Sequence, residues 1–218
     1  TGDLFTDNYD LLVFATGSTP KAPDAFEESN FSNVFQVKNI NSGKKVKSFI
    51  ENKKPTTAVV VGAGFIGLEV AEQLKERGIK VIILQRGKHP MSHLDWDMSI
   101  RIEDEMVKQG IDFRPEETIQ SLVGDTQLDE VITNKGTKLS ADMYILATGV
   151  RPNVALAQSI GVKLGKAGAI ATDNTLQTNI PDVYAVGDVA ESFHVITGKP
   201  IYRPLASTAN KMGRIAGD

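Results

Sequence analysis

The centre of the chain alternates short apolar runs with amphipathic stretches. A short continuous apolar run predicts a buried strand, and apolar positions three and four apart predict a helix that packs on one side. The predicted elements are a strand at 57–61, a helix at 65–77, a strand at 80–84, a helix that Asp95 caps and that ends at Gln109, and a strand at 111–113. This series predicts a parallel sheet with right-handed crossovers.

Residues 117–140 show no helical period. Short segments at 121–123, 130–133 and 138–140, with a turn at 134–136, predict antiparallel strands. A further buried strand is predicted at 143–147. The central region is therefore predicted to be an α/β fold that combines a parallel sheet with an antiparallel β-meander.

One motif occurs twice, once before this central region and once at its end, and in it an aspartate, an apolar strand, Ala-Thr-Gly and a proline follow one another. Its two copies, 132 positions apart, are Asp10, Ala15, Thr16, Gly17, Pro20 and Asp142, Ala147, Thr148, Gly149, Pro152. The first copy contains a predicted strand at 9–14, and a helix is predicted between the copies at 42–51. The repeat favours two domains of one kind, although chance similarity between two strand ends gives the same pattern.

Composition narrows the classes of function. The 218 residues carry a net charge of -3, which gives no sign of a nucleic acid or an anionic membrane as partner. No apolar run is long enough to span a bilayer and no signal peptide is visible, so we expect a cytoplasmic protein. The absence of cysteine excludes a thiolate nucleophile and a zinc–thiolate site within these residues. His89, His93 and Asp95 lie in a Pro-containing loop without a fourth ligand, so no metal site is predicted.

The strongest chemical signal is Gly62-Ala63-Gly64-Phe65-Ile66-Gly67, which follows a predicted strand and opens a predicted helix. A dinucleotide-binding turn requires this context. Gly62 permits the tight turn, Gly64 leaves room for a pyrophosphate, and Gly67 lets helix and strand pack closely. The motif predicts binding of NADH or NADPH at the helix N-terminus, and the alternative is a glycine-rich turn without a ligand.

The second strand of this region leads to Gln85, at a position where an NAD-selective enzyme usually carries a carboxylate for the ribose 2′-hydroxyl. Arg86 and Lys88 follow, and cations there can bind the 2′-phosphate of NADPH. We therefore predict a preference for NADPH through Gln85 and Arg86. The alternative is that Arg86 and Lys88 belong to an ordinary solvated loop.

A second candidate site lies near the end of the chain. A short apolar strand delivers Gly187 and Asp188 to its carboxyl end, where open α/β sheets bind ligands. A carboxylate there can accept hydrogen bonds from ligand hydroxyls, although Asp188 could equally cap the following segment. A helix predicted to begin near residues 205–207 presents N-terminal amides that can stabilise an anion.

Together these motifs resemble the two-dinucleotide-fold flavoprotein reductases of the pyridine nucleotide–disulfide oxidoreductase family. The matching segments, in order, are ATGSTP at 15–20, GAGFIGLE at 62–69, ATGVRPN at 147–153 and TNIPDVYAVGD at 178–188. A fifth, PLASTANKMGRIAGD at 204–218, resembles the branch that contains coenzyme A-disulfide reductases, NADH oxidases and NADH peroxidases.

The resemblance implies a Rossmann-like NAD(P)H-binding domain at 54–149, inserted in a partial FAD-binding domain of related fold. Residues 1–53 would form part of the FAD-binding domain and the crossover, and residues 150–218 the return to it. The residues implied for NAD(P)H are Gly62, Ala63, Gly64, Phe65, Ile66, Gly67, Glu69, Gln85, Arg86, Ala147, Thr148, Gly149 and Val150. The residues implied for FAD are Thr16, Gly17, Gly187, Asp188, Leu205, Ala206 and Ser207.

The same resemblance implies individual roles. Phe65 matches an aromatic residue that gates the flavin, while Glu69 and the turn at 147–150 match positions near the nicotinamide. Asp188 matches a residue that binds the ribityl chain of FAD. The helix near Leu205 would point its N-terminus at the flavin N1–C2=O region and favour the anionic reduced flavin.

By this resemblance, NAD(P)H passes a hydride to FAD, and reduced FAD passes electrons to a disulfide such as coenzyme A disulfide, or to peroxide or oxygen. The family's first phosphate-binding turn, its redox cysteine and its C-terminal dimerisation domain are not found in this sequence. We therefore expect a central fragment of a homodimeric parent enzyme, without a catalytic residue of its own. Two alternatives stay open: an NAD(P)H-binding fragment without turnover, and a nucleotide-sugar or methyl-donor enzyme of the same fold.

Overall fold

The computed structural model describes residues 5–27 and 29–218, so residues 1–4 and 28 of the first predicted domain segment lie outside the described residues. The strands are β1 (Leu12–Phe14), β2 (Ser18–Pro20), β3 (Val34–Phe35), β4 (Thr57–Val61), β5 (Lys80–Gln85), β6 (Asp112–Pro115), β7 (Ile119–Gly124), β8 (Leu128–Thr133), β9 (Lys138–Ser140), β10 (Met143–Leu146), β11 (Val150–Pro152), β12 (Val183–Ala185), β13 (Ser192–Phe193) and β14 (Pro200–Ile201). The helices are α1 (Ile40–Lys53), α2 (Phe65–Glu76), α3 (Trp96–Lys108), α4 (Ala155–Ser159) and α5 (Ala206–Gly217). Within the described ranges, no helix is long and apolar enough to cross a membrane.

The chain divides into two compact units. We call Pro20–Gly149 the central unit, and we call the described residues before Pro20 together with Val150–Asp218 the flanking unit. The central unit contains a five-stranded parallel sheet in the order β3, β10, β4, β5, β6. β7, β8 and β9 form an antiparallel meander. The predicted α/β fold class is confirmed.

Alternate residues of β4 face two different cores. Val60 packs on the helix side with Leu74 of α2, whereas Val59 packs on the other side with Val131 of the meander. Both valines have no exposed surface. Because a sheet covered on both faces needs apolar residues at successive positions, β4 is visible in the sequence as a continuous apolar run.

Most central elements lie close to their predicted bounds. α1 is longer than the predicted 42–51, because Asn39 and Ser42 form a reciprocal capping box and Lys54, with a φ of 50°, ends the helix in a left-handed conformation. Asp95 occupies the position before α3 as predicted, but its side chain makes no capping hydrogen bond.

The compact units divide at 19/20 and 149/150, whereas the predicted domain boundaries are at 53/54 and 149/150. Residues 20–53 pack with the central unit because β3 pairs with β10 and because α1 contributes Val46 and Phe49 to the helix-side core. Compactness does not decide which residues bind which cofactor, so that assignment stays a prediction.

In the flanking unit, β1 pairs in parallel with β12. β1 is shorter than the predicted strand at 9–14, because the pairing extends only over Leu12–Phe14. Phe14 packs in a core with Val183, Val189 and Met212, and Met212 comes from α5. This core places the ends of β1 and β12 and the start of α5 within one compact unit.

The two Ala-Thr-Gly turns make matching hydrogen bonds, each within its own unit. These are Asn153 N–H to Gly17 O at 2.9 Å, Thr16 Oγ1 to Asn153 O at 2.7 Å, Lys21 N–H to Gly149 O at 2.9 Å and Thr148 Oγ1 to Lys21 O at 2.5 Å. Lys21 and Asn153 are also separated by the repeat distance (153 − 21 = 132). The repeat therefore extends from the sequence to the hydrogen bonds, which chance similarity of two strand ends does not explain.

Candidate functional site

The glycine turn at residues 62–67 joins β4 to α2, and two of its glycines are required by the protein's own packing. Gly62 has a φ of +106°, and a Cβ built on it would collide with the carbonyl oxygen of Ala147. A Cβ built on Gly67 would collide with the carbonyl oxygen of Gly62. Any side chain at either position would therefore displace backbone atoms.

Gly64 differs from these two glycines. A Cβ built on it meets no atom within 4 Å, and its φ of -89° is accessible to any residue. Nothing within the protein therefore requires glycine at this position. An open side next to Gly64 is what a closely approaching ligand would need.

The first amides of α2 face the same opening. Among the described residues, the backbone N–H groups of residues 64–67 donate to no acceptor, and no side chain caps the helix. Unpaired amides at the positive end of a helix dipole form an anion-binding site. A dinucleotide pyrophosphate fits this arrangement, because it is anionic and requires close approach to the backbone.

Gln85, the last residue of β5, is hydrogen-bonded to the protein at both ends of its carboxamide. Its Oε1 accepts from the Ala63 N–H at 3.1 Å, and its Nε2 donates to the His89 carbonyl at 3.2 Å. Arg86 and Lys88 are exposed, and no carboxylate in the described part of the chain forms an ion pair with either. These two cations can therefore turn towards a ligand without breaking an ion pair.

The turn at 147–149 packs against the glycine turn. The Ala147 N–H donates to the Val61 carbonyl at 2.8 Å, and the Ala147 carbonyl lies against Gly62. Gly149 has a φ of +96°. Ala147, Thr148 and Gly149 thus follow β10 at the sheet end where Gly62 follows β4, whereas Val150 begins β11 in the flanking unit.

The remaining predicted residues of this site lie on the first turns of α2. Phe65 is 52% exposed, and its ring centroid lies 5.0 Å from that of His93. Glu69 is exposed. Ile66 is 41% exposed. All three side chains are therefore accessible within the central unit.

In the flanking unit, Asp188 is oriented by two hydroxyl groups. Ser18 Oγ donates to Asp188 Oδ2 at 2.9 Å, and the Tyr202 hydroxyl donates to the Asp188 carbonyl at 2.9 Å. Burial, with a contribution from the charge of Asp188, raises the pKa of Tyr202 to about 12. Tyr202 therefore stays protonated and remains a donor. Asp188 caps no helix in the described part of the chain, which removes the capping alternative.

The other predicted residues of the flanking unit lie at one end of the β1–β12 pair or at the start of α5. Thr16 and Gly17 follow β1, and Gly187 follows β12, so the parallel pair brings them to the same sheet end. A Cβ on Gly187, whose φ is +73°, would lie 3.5 Å from the Cβ of Ala209 in α5. α5 begins after Leu205, and the amides of residues 206–208, which include Ala206 and Ser207, donate to no acceptor among the described residues.

Three residues of these sites were missed by sequence reasoning. Ser18 follows directly on the Ala-Thr-Gly turn, so its position was a usable signal, and Asn153 lies in the matching segment at 147–153. Tyr202 carries no signal, because its contact with Asp188 depends on how residues 189–201 fold.

His89 Nδ1 lies 3.7 Å from Glu103 Oε2, and no group of three or more possible metal ligands occurs in the described ranges.

Comparison with known proteins finds reductases that match almost the whole of this chain. The chain is 37% identical over 210 residues to an NAD(P)H coenzyme A polysulfide/persulfide reductase of Pyrococcus horikoshii, covering 96% of this chain and 46% of the relative. It is 33% identical over 218 residues to a coenzyme A disulfide reductase of Staphylococcus epidermidis, covering 100% of this chain and 48% of the relative. The crystal structure of reduced Bacillus anthracis CoADR-RHD superimposes with a TM-score of 0.91 at 32% identity, covering 98% of this chain and 38% of that one.

The chain thus spans about half the length of the curated relatives that it matches. Residues 1–213 match the family described as pyridine nucleotide-disulphide oxidoreductase. The predicted resemblance is therefore confirmed, and this chain belongs to the pyridine nucleotide-disulphide oxidoreductase family.

Proposed function

We propose that this chain supplies the NAD(P)H-binding region and part of the FAD-binding region of a flavoprotein oxidoreductase. The observation that carries the proposal is the opening at Gly64, where unpaired helix amides lie next to a glycine that the protein's packing does not require. Family membership supports the redox assignment, and the relatives named above are reductases.

When bound, NAD(P)H supplies a hydride and FAD accepts it. In the central unit, the amides of residues 64–67 hold the pyrophosphate, and Ala63 helps to shape the turn. In the flanking unit, Asp188 accepts hydrogen bonds from hydroxyl groups of FAD. We further assign Phe65, Ile66, Glu69, Ala147, Thr148, Gly149 and Val150 to NAD(P)H, and Thr16, Gly17, Gly187, Leu205, Ala206 and Ser207 to FAD.

Calorimetric titration with NADH and NADPH tests this proposal. Gly64→Val is expected to weaken cofactor binding about tenfold or more with little change in thermal stability, because its Cβ would lie in the opening with no protein atom within 4 Å. Gly43→Val, at another position where a Cβ meets no atom within 4 Å, is the matched control. A wild-type protein that binds neither cofactor, or a Gly64→Val variant that binds as tightly as wild type, would contradict the proposal.

We propose a preference for NADPH, supported by the exposed Arg86 and Lys88 beside the carboxyl end of β5. Values of kcat/KM for NADPH and NADH in the intact enzyme measure this preference. Arg86→Ala is expected to lower the value for NADPH more than the value for NADH. A clear preference of the wild-type enzyme for NADH would show the proposal to be wrong.

The proposed acceptor is coenzyme A disulfide, with peroxide and oxygen as the alternatives. Two of the relatives are named for coenzyme A-linked acceptors, which supports this choice. Oxidation of the reduced enzyme by each acceptor, followed by flavin absorbance, separates them. A homodimeric assembly and a cytoplasmic setting also stay predictions.

A second candidate function is an NAD(P)H-binding module without turnover, favoured by the absence of cysteine from the sequence. A yellow purified protein that NADPH bleaches supports the oxidoreductase. A colourless protein that binds NADPH supports the module.

A further inference from the structure

Ala63, in the glycine turn, is hydrogen-bonded through both of its backbone groups to the segment that follows β5. Its N–H donates to Gln85 Oε1 at 3.1 Å, and its carbonyl accepts from the Met91 N–H at 2.8 Å. Ala63 itself has no exposed surface. Any displacement of this segment would therefore leave polar backbone groups of a buried residue without partners.

We call residues 86–95 the β5–α3 loop. Gln85 Nε2 donates to the His89 carbonyl of this loop at 3.2 Å, so one carboxamide bonds to the glycine turn and to the loop at the same time. Met91 is buried and has a φ of 49°, an unfavourable conformation that its contact with Ala63 helps to hold. The glycine turn and the β5–α3 loop are thus joined into one hydrogen-bonded assembly beside the proposed pyrophosphate site.

Given the proposed function, we infer that Gln85 is a positioning residue that holds the glycine turn and the β5–α3 loop together and does not itself distinguish NADPH from NADH. Its carboxamide oxygen and nitrogen are both already bonded to the protein. These two bonds fix the orientation of the carboxamide and leave each atom one further bonding position, and turning the group towards a ribose 2′ group would release the N–H of the fully buried Ala63. A neutral carboxamide also carries no charge that would favour a 2′-phosphate over a 2′-hydroxyl, whereas the cations of Arg86 and Lys88 do. Discrimination at the 2′ position is therefore assigned to the exposed Arg86 and Lys88.

Amide hydrogen exchange on the cofactor-free protein tests this bridge directly. Gln85→Ala is expected to speed exchange about tenfold in peptides covering both the glycine turn and the β5–α3 loop. Gln85→Glu keeps an oxygen for the Ala63 N–H but loses the donor to the His89 carbonyl, so only the loop should exchange faster. Gln109→Ala, which removes an exposed glutamine at the end of α3, is the control and should change neither.

Exchange rates that stay at the wild-type value in Gln85→Ala would overturn the inference. If Gln85→Ala does not fold, Gln85→Glu still decides: faster exchange confined to the loop supports the inference, and unchanged exchange in the loop overturns it. A residue that only contacted the cofactor would leave exchange in the cofactor-free protein unchanged.

Affinities for NADH and NADPH supply the second measurement. Gln85→Ala is expected to weaken both by the same factor, about tenfold, whereas Arg86→Ala should weaken NADPH more than NADH. A change in the ratio of the two affinities by more than about threefold in Gln85→Ala would overturn this inference alone. A wild-type protein that binds neither cofactor would instead overturn the proposed function.

Discussion

The two Ala-Thr-Gly turns have the same hydrogen bonds but different surroundings. The strand before the second turn, β10, pairs with β3 and β4, and all four of its residues are buried. The strand before the first turn, β1, pairs with β12, and Val13 at its centre is 45% exposed. A short sequence motif can thus specify a turn, whereas the number of neighbouring strands decides how deeply the strand before it is buried.

The aspartates that begin the two copies differ even more. Four donors from Thr56 and Thr57 lie within 2.7–3.0 Å of Asp142 Oδ2, and they join the start of β10 to the start of β4. Asp10 is exposed and makes no hydrogen bond within the described part of the chain. Equal residues at equal repeat positions therefore make unequal contributions to stability.

The largest expected effect concerns the glycine turn, which packs against the second Ala-Thr-Gly turn within the central unit. Gly62→Ala should lower the free energy of unfolding by about 3 kcal/mol, because its Cβ would collide with the Ala147 carbonyl and its φ is unfavourable for alanine. Gly64→Ala, which meets no protein atom, should change it by less than about 0.5 kcal/mol. Chemical denaturation measures both, and equal losses would contradict the packing argument.

The next effect compares the two aspartates. Asp142→Ala should lower the free energy of unfolding by about 1.5 kcal/mol, because it removes a charged acceptor that is partly open to solvent. Asp10→Ala is the control and should have no measurable effect. Equal effects of the two substitutions in chemical denaturation would show that the bonds from Thr56 and Thr57 contribute little.

The same difference predicts a pH dependence. Partial burial raises the pKa of the Asp142 carboxyl, but the hydrogen bonds from Thr56 and Thr57 outweigh burial and leave this pKa below its ordinary value. A carboxyl with a lowered pKa in the folded state stabilises the protein at pH values above its unfolded pKa of about 3.9. This stabilisation is lost as the pH falls through the lower, folded-state pKa. The stability difference between wild type and Asp142→Asn should accordingly shrink below about pH 4.

A smaller difference in stability is expected between substitutions of Asn153 and Lys21, the residues that are hydrogen-bonded to the first and the second Ala-Thr-Gly turn. The Asn153 side chain donates to the Thr16 carbonyl at 2.9 Å and accepts from Thr19 Oγ1 at 2.7 Å, whereas Lys21 bonds the other turn through its backbone. Asn153→Ala should therefore cost about 1 kcal/mol of unfolding free energy, and Lys21→Ala close to zero. If both substitutions cost the same, the side chain of Asn153 is not what stabilises the first turn.

The smallest expected effect tests the flanking unit alone. Ser18→Ala removes the hydroxyl that orients Asp188 Oδ2, and it should weaken FAD binding about threefold, or about 0.6 kcal/mol. Quenching of flavin fluorescence measures this affinity, and affinity for NADPH should be unchanged. Unchanged FAD affinity would show that Ser18 does not position the carboxylate for the flavin.

Much of the central unit was predictable because its sheet is covered on both faces. β4 and β10 are continuous apolar runs, and Gly62, Gly64 and Gly67 have the spacing that a tight strand-to-helix turn requires. The flanking unit was less predictable, since its strands are two or three residues long and Val13, at the centre of β1, is 45% exposed. Short, partly exposed strands leave little hydrophobic pattern in a sequence.

The sequence by itself determined the family, the glycine turn and the repeat of Ala-Thr-Gly. Only the tertiary structure showed that residues 20–53 pack with the central unit and that Gln85 bonds Ala63 and His89. The physical reason is the distance along the sequence over which the interactions act. A turn or a buried strand depends on neighbouring residues and their apolar pattern. The partners of a side chain such as Gln85 depend instead on where a separate loop folds back, and local sequence patterns carry no record of that position.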